Sequence, residues 1–322
     1  MIKYYLLVVL ATLLYSVQFV FTKMYQKREG DTSFVMMVFT AVVSTASLIY
    51  LTILNGFKIE IQLFSVIISV VVALSTQINR VFSVKLMARG SIALFSIFNM
   101  LGGMLVPFFY GVIALGDQMS VFKILAVVLI VVSIYFLIGK TGSGKAISVI
   151  IIVFGIITFF TNGFTGMLFS MHQKSGYVKV DEVSFNILCN ASLLLSSLIA
   201  MGVMAVNKRV KAKTAATTYG NARENSAPIE SPIANEKRKN GAFIYALISV
   251  LICVGYAAVH ATADLIQTFC YNYLDVSVET TIITGGCLVF STLSGMLFGE
   301  KPTLKIIISV ALAAVGTVFI VL

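Results

Sequence analysis

Charge is scarce in this sequence. Only 11% of its 322 residues are Asp, Glu, Lys or Arg, against 59% hydrophobic ones, where a soluble domain carries roughly 25% charged residues. With a mean hydropathy of +0.99, the composition excludes a soluble globular chain and leaves an integral, multi-pass membrane protein. Tryptophan is absent and there are only two histidines and four cysteines. Cys189, Cys253, Cys270 and Cys287 each lie inside an apolar run, without C-x-x-C spacing or a nearby histidine pair, so they read as small buried hydrophobes and not as metal or redox ligands. No H-E-x-x-H, nucleophile elbow or metal cluster is visible, so the chain is not expected to be an enzyme. Acids are also fewer than bases, giving a net charge of +10. In a membrane protein that excess belongs to cytoplasmic loops, so no nucleic-acid partner is implied.

What remains is apolar. Runs fall near 3–22, 32–54, 62–87, 91–115, 119–138, 146–168, 184–206, 242–271, 276–298 and 303–322. Each is close to the roughly 20 residues that a spanning helix needs, and none shows the ten-residue alternation of a β-barrel. The first run lacks a small-x-small cleavage site and is kept as a span. Residues 207–241 break the pattern with two prolines, eight Lys/Arg and three Glu, and read as a disordered basic linker.

The chain repeats itself. Residues 99–118, NMLGGMLVPFFYGVIALGDQ, align without a gap on 282–301, IITGGCLVFSTLSGMLFGEK, at an offset of 183, pairing Gly102 and Gly103 with Gly285 and Gly286, Gly116 with Gly299, and Asp117 with Glu300. Earlier spans align at 147, where Met24-Tyr-Gln-Lys27 meets Met171-His-Gln-Lys174. The difference of 36 matches the 35-residue linker, so two five-helix units, 1–140 and 146–322, are expected, the second carrying the insertion 207–241. Five is odd, so the second unit enters the bilayer from the opposite side. The expected fold is therefore all-α, ten transmembrane helices in two inverted five-helix repeats, an arrangement recurrent in secondary transporters.

The segments LGDQMSVFKILAVVLIVVSIYFLI and FGEKPTLKIIISVALAAVGTVFIVL, with Pro107 ahead of the first and Gly316 in the second, resemble the closing signature of each half of the drug/metabolite transporter superfamily, EamA-like branch. The resemblance covers essentially the whole chain in span number and repeat layout. It implies transport without a bound cofactor and a central cavity lined by the first, third and fourth helices of each half. Asp117 stands for the commoner glutamate, Ser133 for a frequent glycine and Phe290 for the second-half proline.

Polar residues inside hydrocarbon are costly and face a cavity or one another. In GYAAVHATADLIQTF, residues 255–269, His260, Asp264 and Gln267 share one helix face. The offset of 183 carries His260 onto Gln77, with Arg80 one turn on. Arg80 suits a carboxylate or phosphate, while Asp264 and His260 suit an amine or a coupling proton; the alternative is that Arg80 snorkels and Asp264 sits hydrated at the far boundary. Gln18, Asn99 and Asn162 are further binding candidates or interhelical glue. Glu279 opens the ninth span as a gate or a helix-start acid. Pro107, Gly116, Asp117, Gly299 and Glu300 are read as structural, the two acids capping backbone amides. Residues 139–145, GKTGSGK, imitate a phosphate loop, but Ala146 replaces the metal-binding Ser/Thr and no strand precedes them.

Counting Lys and Arg by alternating side puts 18 on the linker side and 5 on the side of both termini, which makes the linker cytoplasmic; the family habit is cytoplasmic termini. The function expected is secondary transport of a small polar or amphiphilic metabolite by alternating access, coupled to a proton or to exchange, in a bacterial inner membrane or plasma membrane. A lipid-linked substrate flippase and a non-transporting scaffold or sensor acting through the linker are the alternatives. The partners expected are a small-molecule metabolite and the lipid bilayer, with the chain a monomer or homodimer, and no cofactor.

Overall fold

The computed structural model describes residues 2–30, 32–89, 92–138, 149–218, 242–297 and 304–321. These form ten helices and no strand: α1 Ile2–Glu29, α2 Ser33–Leu54, α3 Leu63–Arg89, α4 Ile92–Ala114, α5 Val121–Ile138, α6 Val149–Lys174, α7 Glu182–Thr218, α8 Ala242–Cys270, α9 Val276–Leu297 and α10 Leu304–Val321. Six of them, α1, α2, α3, α6, α7 and α8, are long and apolar enough to cross a membrane, and Phe98–Ala114 and Val121–Ser133 are shorter apolar stretches. α7 runs through residues 207–218, past the expected end of its span, because the Lys, Ala and Arg there are good helix formers. The rest of the linker, 219–241, and the phosphate-loop imitation at 139–145 lie outside the described residues.

Burial departs from that of a water-soluble domain. Ile113 (80%), Phe160 (60%) and Leu195 (61%) are exposed, while Ser65, Ser197, Thr158 and His172 are fully buried alongside Phe39, Phe185, Leu51 and Met104. Helices whose outer faces meet acyl chains gain nothing from hiding Leu or Ile, so small and hydrogen-bonding residues share the interior with apolar ones. Serines and threonines of the interior donate back to their own helix, as Thr12 does to the Val8 carbonyl at 2.8 Å and Thr40 to Met36 at 2.8 Å. The four cysteines are buried and free, as their apolar context implied.

Packing is dominated by α4 on α6, α5 on α10, α1 on α8, α2 on α7 and α3 on α6, followed by α1 on α9, α3 on α7, α4 on α9, α9 on α10 and α2 on α8. The paired glycines mark two of these crossings. A Cβ on Gly102 of α4 would lie 2.0 Å from the Phe159 carbonyl oxygen of α6, and one on Gly286 of α9 would lie 2.4 Å from the Thr12 methyl of α1. Only hydrogen fits where backbones approach this closely. Gly116 has a different reason: with φ at +74° it ends α4 in the left-handed region, letting the Asp117 amide close on the Gly111 carbonyl at 3.0 Å. Pro107 stands inside α4, as expected.

Candidate functional site

Tyr15, at the middle of α1, organises the polar face of α8. Its hydroxyl oxygen lies 2.6 Å from Asp264 Oδ1 and 2.5 Å from Gln267 Oε1, and Gln267 Nε2 donates to the Tyr271 hydroxyl at 2.8 Å. The i, i+4, i+7 spacing that aligned His260, Asp264 and Gln267 therefore delivers all three to one place. His260 Nδ1 is 3.2 Å from Asp264 Oδ1, yet Nδ1 makes no hydrogen bond: the distance suits an ion contact and the ring is turned off the line. The imidazole stands edge-on to Tyr15 and Tyr256, with ring centroids 6.0 and 5.2 Å away. The side chains of His260 and Asp264 keep 26% and 20% of their surface exposed.

Arg80 comes to this cluster from α3. One guanidinium nitrogen, Nη1, donates to the Thr40 hydroxyl of α2, and the group is close enough to Asp264 and Tyr256 for their charges to act on it. No ion pair joins Arg80 to Asp264 among the described residues. A guanidinium has five N–H donors, and Thr40 engages one of them, which leaves Arg80 equipped to grip an anionic group.

Asn99 and Asn162 belong to a second cluster. Asn162 Nδ2 donates to the Asn99 carbonyl at 2.7 Å, and Asn79 Nδ2 meets Asn99 Oδ1 at 3.3 Å, the Thr158 carbonyl at 3.0 Å and Thr161 Oγ1 at 3.2 Å. These bonds tie α3, α4 and α6 together. Gln77 turns the other way, its amide donating to Ser197 at 2.5 Å and Ser196 at 3.2 Å on α7. Gln18, one turn after Tyr15, holds a buried Oε1 with no partner. The eight binding candidates thus divide into a group around Tyr15 (His260, Asp264 and Gln267, with Arg80 in reach), an interhelical pair, one α3–α7 tie and one amide whose oxygen is unpartnered.

Asp117 does cap a backbone amide, but not that of the helix it precedes: its Oδ2 accepts from Ser277 N at 2.9 Å, at the start of α9. The amide end of α5 is served by Ser120, whose hydroxyl accepts from Lys123 N at 3.2 Å. Gly299 and Glu300 lie outside the described residues.

Sequence reasoning passed over Tyr15, Tyr256, Tyr271 and Thr40, since tyrosine and threonine are ordinary inside membrane helices. One signal for Tyr15 existed: the offset of 147 places it on Asn162, and each hydrogen-bonds from its helix to another. Glu279 lies in the first turn of α9, as a helix-start acid would, but it is fully buried and neither carboxyl oxygen has a partner.

No family model matches the chain, and no curated protein does. Among solved structures 28 chains match. One, described as "Crystal structure of protein", is 14% identical, with a TM-score of 0.66 over 98% of this chain and 96% of that one. At that identity the likeness speaks for the helical fold alone.

Proposed function

We propose that the chain is a secondary transporter of the drug/metabolite type, moving a small polar or amphiphilic metabolite with an anionic group, zwitterions included, by alternating access. The observation that carries this reading is the gathering of Arg80, His260, Asp264 and Tyr15, from three helices, inside a bundle whose outer surface is apolar. Ionisable side chains persist within apolar spans where they bind or carry something.

Ten spans in two inverted repeats are part of the same proposal. The helix pairs support it: exchanging each helix for the one five places on turns α1–α8 into α6–α3, α4–α6 into α9–α1 and α3–α7 into α8–α2, while α2–α7, α4–α9 and α5–α10 map onto themselves, and all of these pairs are in contact. The glycine crossings follow the same exchange to within one residue: Thr12 and Phe159 are equivalent by the offset of 147, and they meet Gly286 and Gly102, where the counterpart of Gly286 is Gly103.

In the mechanism proposed, Arg80 holds the carboxylate or phosphate of the cargo, Asp264 and His260 take an amine or the coupling proton, and Tyr15 fixes Asp264 in place. The deciding experiment is a thermal-shift screen of the purified chain against metabolites and lipid head groups at two pH values, with Asp264→Asn beside wild type, then uptake into vesicles. A solute that stabilises wild type in a pH-dependent way and fails on the variant supports the reading. Stabilisation by lipid alone replaces it with a flippase.

A further inference from the structure

The linker connects the end of α7 to the start of α8, so the start of α7 and the end of α8 meet at the opposite end of the bundle. Two hydrogen bonds join them there. Asn272, just past α8, donates from Nδ2 to Glu182 Oε1 at 2.6 Å, and Asn186 Nδ2 donates to Thr268 Oγ1 at 3.1 Å. Glu182 to Asn186 and Asn272 back to Thr268 are equal steps in opposite directions, about one helical turn each, so the bonds are rungs of one ladder. The outer rung is exposed to water and the inner one is buried. One step further in, the ladder pairs Asn190 with Asp264, and among the described residues no hydrogen bond joins α7 to α8 at that level. The seam is fastened outside the level of the proposed cargo site and not at it. The inner rung still touches that site: Thr268 Oγ1, which accepts from Asn186, donates to the Asp264 carbonyl at 2.6 Å.

The internal repeat separates this ladder from ordinary packing. Exchange of the two units carries the α7–α8 seam onto α2–α3 at the linker end. The offsets place Val35 opposite Arg89 and Phe39 opposite Lys85 there, and the side chains of valine and phenylalanine can form no rung. The bond between α2 and α3 is instead the one from Arg80 to Thr40, whose equivalents Ala263 and Ile187 cannot form it. A tie that each five-helix unit needed for folding would stand in both copies. One found at a single end distinguishes that end from the other. Its strength suits an equilibrium between two states, since a hydrogen bond inside a membrane protein shifts an equilibrium constant by only about threefold.

We propose that the Glu182–Asn272 and Asn186–Thr268 rungs are the gate at the end of the bundle away from the linker, and that they hold the chain shut at that end when no cargo is bound. Opening parts the start of α7 from the end of α8 and admits water and solute to the level of Asn190 and Asp264. Because Thr268 hangs on the Asp264 carbonyl, a movement of α8 at the cargo site is passed directly to the inner rung. The gate deepens the transport reading and rests on it for what passes through, not for the opening itself.

The test is the rate of thiol labelling by a small methanethiosulfonate, on the full chain in lipid nanodiscs, where both faces meet the reagent and no cargo is needed. Two reporters are made separately: Asn190→Cys, one step inside the rungs, and Val43→Cys, its equivalent at the linker end by the offset of 147. Tandem mass spectrometry separates each introduced thiol from the buried native cysteines. Thr268→Val combined with Asn272→Ala is expected to speed labelling at Asn190→Cys roughly fivefold to tenfold, the factor that two membrane hydrogen bonds supply, and to leave Val43→Cys within about twofold. Asn272→Ala alone removes only the water-exposed rung and spares the interior; its expected acceleration of about threefold secures the test should the double variant fold poorly. A change at Asn190→Cys of less than about 1.5-fold in both variants overturns the proposal. An equal rise at the two reporters overturns it as well, since the rungs are then glue whose loss loosens the whole bundle. A failed solute screen leaves the labelling result standing, and a failed labelling test leaves the transport reading on Arg80 and Asp264.

Discussion

Tyr15 and Asp264 stand 249 residues apart in the chain and 2.6 Å apart at their oxygens, so a phenol of the first helix meets a carboxyl group of the eighth. Tyr15→Phe keeps the ring and deletes that bond. The expected loss is about 1 kcal/mol of stability, between the roughly 0.6 kcal/mol of a membrane hydrogen bond and the larger worth of one to a charged group. Reversible unfolding in mixed micelles measures it, and a cost indistinguishable from zero removes Tyr15 from the site.

Arg80 offers a planar fork where lysine offers a point charge. Stabilisation of the protein by anionic solutes should vanish in Arg80→Gln and return only in part in Arg80→Lys. Dissociation constants from the thermal-shift screen decide this, and full recovery with lysine shows that charge alone matters there.

The glycine crossings predict a graded response. Gly102→Ala forces α4 away from the Phe159 backbone and should cost about 1–3 kcal/mol, the usual price of overpacking. Gly202→Ala, where nothing lies within 4 Å, should be neutral or slightly stabilising, since alanine is the better helix former. Melting temperatures of the two variants side by side suffice, and equal values contradict the close approach.

Asp117 caps α9 from the end of α4. Asp117→Ala should cost about 1 kcal/mol, as lost caps do, and hydrogen exchange at Ser277 and its neighbours should quicken. Protection unchanged in that segment shows the cap to be dispensable.

The excess of basic residues leads us to expect residues 219–241 on the cytoplasmic side and the α6–α7 turn outside. All four native cysteines are buried, so labelling background is low. In cells, an impermeant maleimide should react with Tyr177→Cys, at a position 72% exposed, and not with Asn221→Cys. The opposite pattern inverts the topology.

Much of the fold was legible because hydrocarbon imposes a simple rule: spans must be long, apolar and helical. Each of the ten apolar runs holds one of the helices of the described residues, six of them long and apolar enough to cross a membrane, with the largest departure at α7, where Lys208 to Thr218 continue the helix because a polar composition does not by itself stop one. The face carrying His260, Asp264 and Gln267 was legible from helical spacing. The roles of Gln77 and Asn99 were not, because an amide reads the same in sequence whether it faces a neighbouring helix or an open interior. Asp117 was legible as a capping acid, but the amide it serves belongs to a strand of sequence 160 residues away, and no local rule reaches that far. Tyr15 was hidden because its hydroxyl matters only through partners on another helix.

At Gly102 the α4 backbone bears directly on the α6 backbone, and at Gly286 the α9 backbone bears on the Thr12 methyl of α1. Interlocked side chains resist a change of crossing angle, since each would have to be reseated; a bare crossing works as a fulcrum. Under the alternating-access proposal, the two close approaches, one where α4 bears on α6 and one where α9 bears on α1, are the points about which the helices would tilt.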